Sequence, residues 1–178
     1  YVSDHWFTPD LIDHKQPADL KVAVIGTGPA SISAAYHMLL RGYTVDMFEA
    51  LPEPGGMAAV GIPEYRLPKK DVLHKEVSII ESLGGTITYN QRMGRDYTVQ
   101  ELKDRGYHAI FLGIGAHRGK TMGIPGEERP ITGYISGVKF LLDVNNYIDT
   151  GKPMQLGDSM VVVGGGNVAM DCARSALR

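Results

Sequence analysis

Two short glycine clusters, Gly26-Thr27-Gly28-Pro29-Ala30-Ser31 and Gly164-Gly165-Gly166-Asn167-Val168-Ala169, have the spacing at which a peptide backbone can cup phosphate. Each follows a run of β-branched apolar residues and leads into a run with helical spacing, so each reads as a turn between strand and helix. A diphosphate needs donors at close range, and a helix start offers unpaired N–H groups and the positive end of the helix dipole. Gly26 permits the tight turn off the strand. Gly28 has no Cβ, so a diphosphate can approach the backbone, with Pro29 and Ala30 opening the helix. Ser31 stands where the pattern often has a third glycine and is small enough for close helix–strand packing. Glu49 is the acid expected about 20 residues on, where a carboxylate accepts from ribose hydroxyls and repels a 2′-phosphate. The first turn is therefore predicted to hold FAD or NAD rather than NADP. The second reads Gly-x-Gly-x-x-Ala, with Gly164, Gly166, Asn167, Val168 and Ala169 against a second dinucleotide. The acid or arginine that would choose between NAD and NADP there falls beyond Arg178.

The elements that must position these residues follow from periodicity. Strands are predicted at Lys21–Ile25, Thr44–Phe48, Thr86–Tyr89, His108–Leu112 and Ser159–Val163. Helices are predicted at Ile32–Arg41, stopped by Gly42, at Asp71–Leu83, stopped by Gly84-Gly85, at Gly137–Ile148, and from Asn167 onward. A short helix at Thr98–Arg105 carries a capping box, Thr98 with Glu101. Residues 50–68 are predicted to be a long ordered loop, and residues 118–133 a Gly/Pro-rich crossing. The fold class expected is α/β: a Rossmann-like FAD-binding lobe with a parallel sheet, plus the first strand and helix of a second, NAD(P)-binding Rossmann-like lobe. The boundaries expected are 1–20 for a lead-in, 21–117 for the FAD lobe, 118–158 for a crossover and helix, and 159–178 for the start of the nicotinamide lobe.

The block Pro54-Gly55-Gly56-Met57, Gly61-Ile62-Pro63-Glu64-Tyr65-Arg66-Leu67-Pro68, together with Gly164-Gly165-Gly166-Asn167-Val168-Ala169-Met170-Asp171, resembles the glutamate synthase small-subunit family. The same FAD–NADPH module occurs in dihydropyrimidine dehydrogenase and in bifurcating ferredoxin:NADP oxidoreductases, and the resemblance spans residues 20–178. It implies FAD at the first turn, with Gly56, Met57 and Arg66 facing it and the backbone near Met93 meeting the adenine. It implies NADPH at the second turn, NAD being the alternative. Gly113–Ala116 resembles the turn where such flavoproteins leave the FAD lobe, which would set Gly115 against the flavin. The activity implied is hydride transfer from NAD(P)H to FAD, with electrons passed to iron–sulfur clusters on a partner domain or large catalytic subunit. The flavin then does the chemistry, and no side chain is singled out as catalytic. Arg66 beside a diphosphate site is also a natural charge-assisted contact.

The 178 residues are 43% apolar with a net charge of −2, which points to no nucleic-acid partner. Apolar runs fall short of the ~18 residues of a membrane span. The single cysteine, Cys172, excludes an internal disulfide, a Cys-x-x-Cys pair and a self-contained iron–sulfur site, and suggests a reducing cytoplasm. Cys172 reads as core, Asp171 as polar surface, Lys69-Lys70 as solvated, and Trp6 and Phe7 as packing residues. His5, His14, His37, His74, His108 and His117 show no metal spacing. The chain opens at Tyr1-Val2-Ser3 and ends within a helical run, so it reads as an excerpt of a longer polypeptide. Alone it is expected to bind FAD weakly and to lack NADPH oxidation. A stand-alone ferredoxin- or thioredoxin-type reductase, or a Rossmann scaffold without cofactor, is the competing reading.

Overall fold

The computed structural model describes residues 20–151 and 156–178; the lead-in with His5, Trp6, Phe7 and His14 lies outside the described residues. In chain order the elements are β1 (Lys21–Ile25), α1 (Pro29–Leu39), β2 (Thr44–Phe48), α2 (Met57–Val60), α3 (His74–Ser82), β3 (Thr86–Thr88), α4 (Val99–Asp104), β4 (Ala109–Leu112), α5 (Gly137–Thr150) and α6 (Asn167–Ala176), with a π-helical turn at Lys69–Leu73. They form two compact units, one from residues 20–54 and 74–114, the other from residues 55–73 and 115–178.

The first unit is built on a four-stranded sheet in the order β3-β2-β1-β4. All three pairings are parallel, and β1 sits between β2 and β4 with Val24 opposite Met47 on one side and Phe111 on the other. Successive side chains of a strand point to opposite faces, and in this sheet both faces are covered. Val22, Val24, Val45 and Met47 pack with Ala35 of α1 and Ile80 of α3 on one face. Ala23, Ile25 and Phe48 pack with Tyr97, Leu102 of α4 and Tyr107 on the other. The continuous apolar run at Lys21–Ile25 therefore reads as it does because neither face meets water. The capping box forms: the Glu101 amide donates to Thr98 Oγ1 (3.2 Å) and the Thr98 amide to Glu101 Oε2 (2.6 Å).

In the second unit the buried face of α5 (Phe140, Leu141) packs against Cys172 of α6, joined by Val144 and Ala176. Asn145 of α5 donates to the Val60 carbonyl at 2.8 Å, tying α5 to the loop that holds α2.

Four local expectations need correction. First, α1 begins at Pro29 rather than Ile32, because proline's fixed φ suits the first helical position and the extended Gly28 precedes it as N-cap. Second, the loop 50–68 contains the one-turn helix α2, started by Gly56 and closed at Gly61. Third, the helix predicted at Asp71 is preceded by a wider turn from Lys69, with the Lys69 amide donating to the Glu64 carboxylate. Fourth, Ser159–Val163 carries no strand. Val161 and Val163 are 87% and 71% exposed, and no described residue pairs with them. A strand exists through its ladder partners, so an apolar β-branched run without one stays unpaired.

Candidate dinucleotide site

At the first glycine turn Gly26 has φ +93°, and its amide donates to the Phe48 carbonyl at 2.7 Å. A Cβ at Gly26 would lie 2.6 Å from the Gly113 carbonyl oxygen, so only glycine lets the turn pass this close to the end of β4. Gly28 is extended (φ −69°, ψ 171°) and caps α1 without a side-chain hydrogen bond. A Cβ there would meet nothing within 4 Å, so space is open beside the helix start. The first amides of a helix have no intrahelical partner, and Pro29 has none to offer; those of Ala30 and Ser31 follow. Pro29 and Ala30 are exposed. Ser31 is fully buried, and its hydroxyl donates to the Gly113 carbonyl at 3.4 Å. A Cβ on Gly113 would clash with that hydroxyl, so the bare Gly113 together with the small Ser31 lets α1 approach the end of β4.

Glu49 sits at the tip of β2 against this turn. Its Oε2 accepts from the Thr27 amide (2.8 Å) and the Thr27 hydroxyl (2.6 Å), and its Oε1 from the Leu51 amide (2.8 Å). The residue is 5% exposed. A carboxylate offers about four acceptor positions, and three of these are used within the protein. Glu49 therefore braces the turn, leaving about one position for a ligand hydroxyl. Met93 is half-buried, bridged to Tyr97, and packed on the Phe48–Tyr97 cluster beside Glu49.

Tyr97 is a residue that the sequence reading missed. It is 2% exposed, its ring lies 5.1 Å from that of Phe48, and its hydroxyl has no hydrogen-bond partner among the described residues. Burial, then the charges of Glu49 and Asp96, push the phenol up to about 12. No local pattern marks a tyrosine in a loop as core. The only available signal is its place just before the capping box of a helix that must pack on the sheet.

In the second unit, Met57 folds back so that its Cε would lie 2.6 Å from a Cβ on Gly61. Gly56 is buried at the start of α2, and Gly115 is exposed with φ +66°. Arg66 is no free loop charge. Its Nη1 donates to both carboxylate oxygens of Asp171, at 3.0 and 2.8 Å. Asp171 is correspondingly not polar surface: its side chain is 6% exposed, against 44% for Arg66. The neighbouring Tyr65 ring lies under Arg174 (4.8 Å) and Arg178 (3.9 Å). Asp171 shares a helical stripe with Cys172 and Ser175, and an acid within a core stripe requires a cation; that signal was readable. Cys172 is buried, its thiol directed at the Gly137 carbonyl (3.6 Å), and burial followed by the Asp171 charge raises its pKa.

The second turn repeats the first. Gly164 has φ +129°, and Gly166 is an extended N-cap (φ −80°, ψ 174°) with no side-chain hydrogen bond. A Cβ on Gly165 or Gly166 would meet nothing within 4 Å, whereas one on Gly164 would lie 3.5 Å from the Ala169 Cβ. Asn167 and Val168 are exposed and Ala169 is half-buried. Among the described residues no group of three or more His, Cys, Asp or Glu is placed to hold a metal, and no helix is long and apolar enough to cross a membrane.

Comparison with known proteins gives the chain a family and relatives. Residues 20–178 match the family model for pyridine nucleotide-disulphide oxidoreductases. The chain is 54% identical over 158 residues to the NADP(+)-dependent formate dehydrogenase subunit beta of Moorella thermoacetica, covering 89% of this chain and 22% of that protein. It is 36% identical over 166 residues to the glutamate synthase [NADPH] small chain of Halomonas elongata, covering 90% of this chain and 34% of that one. Among solved structures, the Mycobacterium tuberculosis oxidoreductase FprA superposes with a TM-score of 0.73 at 29% identity, over 89% of this chain and 36% of FprA. The chain thus spans between about a fifth and just over a third of the length of these proteins.

Proposed function

The chain belongs to the pyridine nucleotide-disulphide oxidoreductase family, and from that premise we propose that it binds FAD on the first glycine turn and NADPH on the second. It would do so as part of an oxidoreductase that passes electrons to iron–sulfur clusters of a partner domain or large subunit. The observation that carries this reading is the pair of uncapped helix starts. Both have an extended glycine N-cap with open space where its Cβ would be, and the first is braced by a buried carboxylate.

The residues present fit the two dinucleotides. At the first turn the Ala30 and Ser31 amides and the α1 dipole would hold a diphosphate, and Glu49 has acceptor capacity left for one ribose hydroxyl. A carboxylate there disfavours a 2′-phosphate, which suits FAD or NAD rather than NADP, and the family resemblance favours FAD. At the second turn the amides of Asn167, Val168 and Ala169 would do the same work. Bound flavin supplies the redox chemistry, accepting a hydride and releasing electrons. The protein's part is to orient both dinucleotides and shield them from water. By resemblance, Gly56, Met57, Arg66, Met93 and Gly115 are assigned to the FAD surroundings, although the guanidinium of Arg66 is engaged by Asp171. NADPH is preferred to NADH because the relatives named above are NADP(+)- or NADPH-dependent proteins. FprA has also been solved in complex with NADPH. The partner reading rests on one relative being a beta subunit and another a small chain. The single cysteine suits a reducing cytoplasm.

The test is spectroscopic. In the oxidoreductase of which this chain would be part, bound FAD should give flavin absorbance that NADPH bleaches under anaerobic conditions, whereas the chain alone should take up FAD only weakly and without that bleaching. The variant Gly28→Val, with a side chain in the open space, should lose the flavin. A protein that takes up no FAD at all would end this reading.

A further inference from the structure

Asp171 lies one turn inside α6, directly behind the amides that open it. From Asn167 to Asp171 the axial rise is roughly 6 Å. The helix start is electropositive and suits an anion, but a buried carboxylate so near opposes any phosphate bound there, and it is poorly screened because water is excluded. In this structure the opposition is cancelled from outside the helix. Arg66, from the loop 61–68, places Nη1 on both oxygens of Asp171. The same loop is seated by Tyr65 under Arg174 and Arg178. Positions 171 and 174 fall on one face of α6 and Arg178 lies just beyond its end, so the loop meets the helix along its flank and its C-terminus.

We infer that Arg66 is a positioning residue for the second dinucleotide: by neutralising Asp171, it removes the negative charge that would otherwise repel phosphates at the Gly164–Ala169 turn. This rests on reading that turn as the NADPH site. Arg66 touches neither the dinucleotide nor the reacting atoms in this role. It acts through Asp171, and the sign of the charge, rather than the presence of a clamp, is what matters.

A charge role and a clamp role predict different variants. In the FAD-loaded protein, Arg66→Gln should raise the Kd for NADP+ and the KM for NADPH on the order of tenfold, as expected for a unit charge uncovered within about 10 Å at an intermediate dielectric. The Kd for FAD is measured beside these: an effect that acts through Asp171 shows as a larger fold-change in the Kd for NADP+ than in the Kd for FAD. Asp171→Asn removes the opposing charge and leaves Arg66 unpaired, so it should bind NADP+ at least as tightly as the parent, and the double variant, again neutral, should return to within about twofold of the parent. Arg66→Lys keeps the charge and should rescue most of the loss, since a single nitrogen, Nη1, makes both contacts to Asp171. If Asp171→Asn and the double variant bind NADP+ as poorly as Arg66→Gln, the pair is only a clamp and the inference fails. It fails also if Arg66→Gln sheds flavin while NADP+ binding is unchanged. Should Arg66→Gln not fold, Asp171→Asn and the double variant still decide between charge and clamp. Gly166→Val is the control for the site itself: unchanged NADP+ binding in that variant would refute the NADPH turn, a failure distinct from that of the pair.

Discussion

The two glycine turns share a backbone and differ in what holds it. Gly26 and Gly164 both have positive φ, and Gly28 and Gly166 are extended N-caps within about ten degrees of each other. The first turn grows from β1, which is hydrogen-bonded on both sides and buried on both faces, and Glu49 staples it to β2. The second follows a segment with two exposed valines and no pairing among the described residues, and its helix is held from the flank by Arg66 and from below by Phe140 and Leu141. One local geometry, set by glycine placement, is thus supported once by a sheet and an acid and once by a loop and an ion pair. Local sequence dictates the turn, and tertiary context dictates how firmly it is kept.

The largest effect that could break this contrast is steric. A valine at Gly26 needs φ +93° and drives its Cβ to 2.6 Å from the Gly113 carbonyl, a backbone atom that cannot yield without moving β4. We expect Gly26→Val to destabilise the protein by about 3 kcal/mol or more in urea unfolding and to abolish FAD binding. Gly164→Ala meets only ordinary contact, its Cβ lying 3.5 Å from that of Ala169. Only its positive φ costs it, about 1–2 kcal/mol. Equal losses for the two would show that the first turn is no more tightly built than the second.

A smaller effect comes from Glu49. In Glu49→Gln the amide keeps one acceptor for Thr27, but its NH2 group then confronts the Leu51 amide, donor against donor. The expected cost is about 2 kcal/mol, the scale of a buried hydrogen bond to a charged group, with weaker FAD retention in gel filtration. A variant that unfolds at the parental urea midpoint would mean the staple is ornamental and that β1 alone holds the turn.

Much of the first unit was legible because its determinants are local. The strand at Lys21–Ile25, the acid at Glu49 and the Thr98–Glu101 box are each set by residues within about two dozen positions, where spacing translates directly into geometry. The Arg66–Asp171 pair joins residues 105 apart, and no periodicity reports on a partner at that distance. Only the oddity of an acid in the Asp171–Cys172–Ser175 stripe pointed toward it. The run at Ser159–Val163 failed for the opposite reason: its composition is that of a strand, but strand formation depends on a neighbour that composition does not encode. The helix α2 escaped notice because four prolines and three glycines in the loop 50–68 signal a loop more loudly than Met57-Ala58-Ala59-Val60 signals a single helical turn.

The smallest expected effect has the opposite sign and sharpens the contrast from the first turn's side. Tyr97 keeps a hydroxyl in the core without a partner, beside the Glu49 carboxylate. Removing that oxygen relieves a desolvated polar group, so Tyr97→Phe should be neutral or stabilising by about 1 kcal/mol at pH 7. The same residue governs the alkaline limb. Its folded pKa of about 12 lies above the ordinary value of 10, so the folded state holds the phenolic proton longer than the unfolded chain does. That stability is fully present below pH 10 and is lost as pH rises from 10 toward 12, by roughly 2–3 kcal/mol in all. Tyr97→Phe should flatten this limb, and Glu49→Gln should move its end to lower pH, because one of the charges that opposes the phenolate is gone. Urea midpoints between pH 9 and 12 for the parent and both variants would measure it. An alkaline limb unchanged in Tyr97→Phe would assign the titration to another group and separate the buried phenol from the acid that braces the first turn.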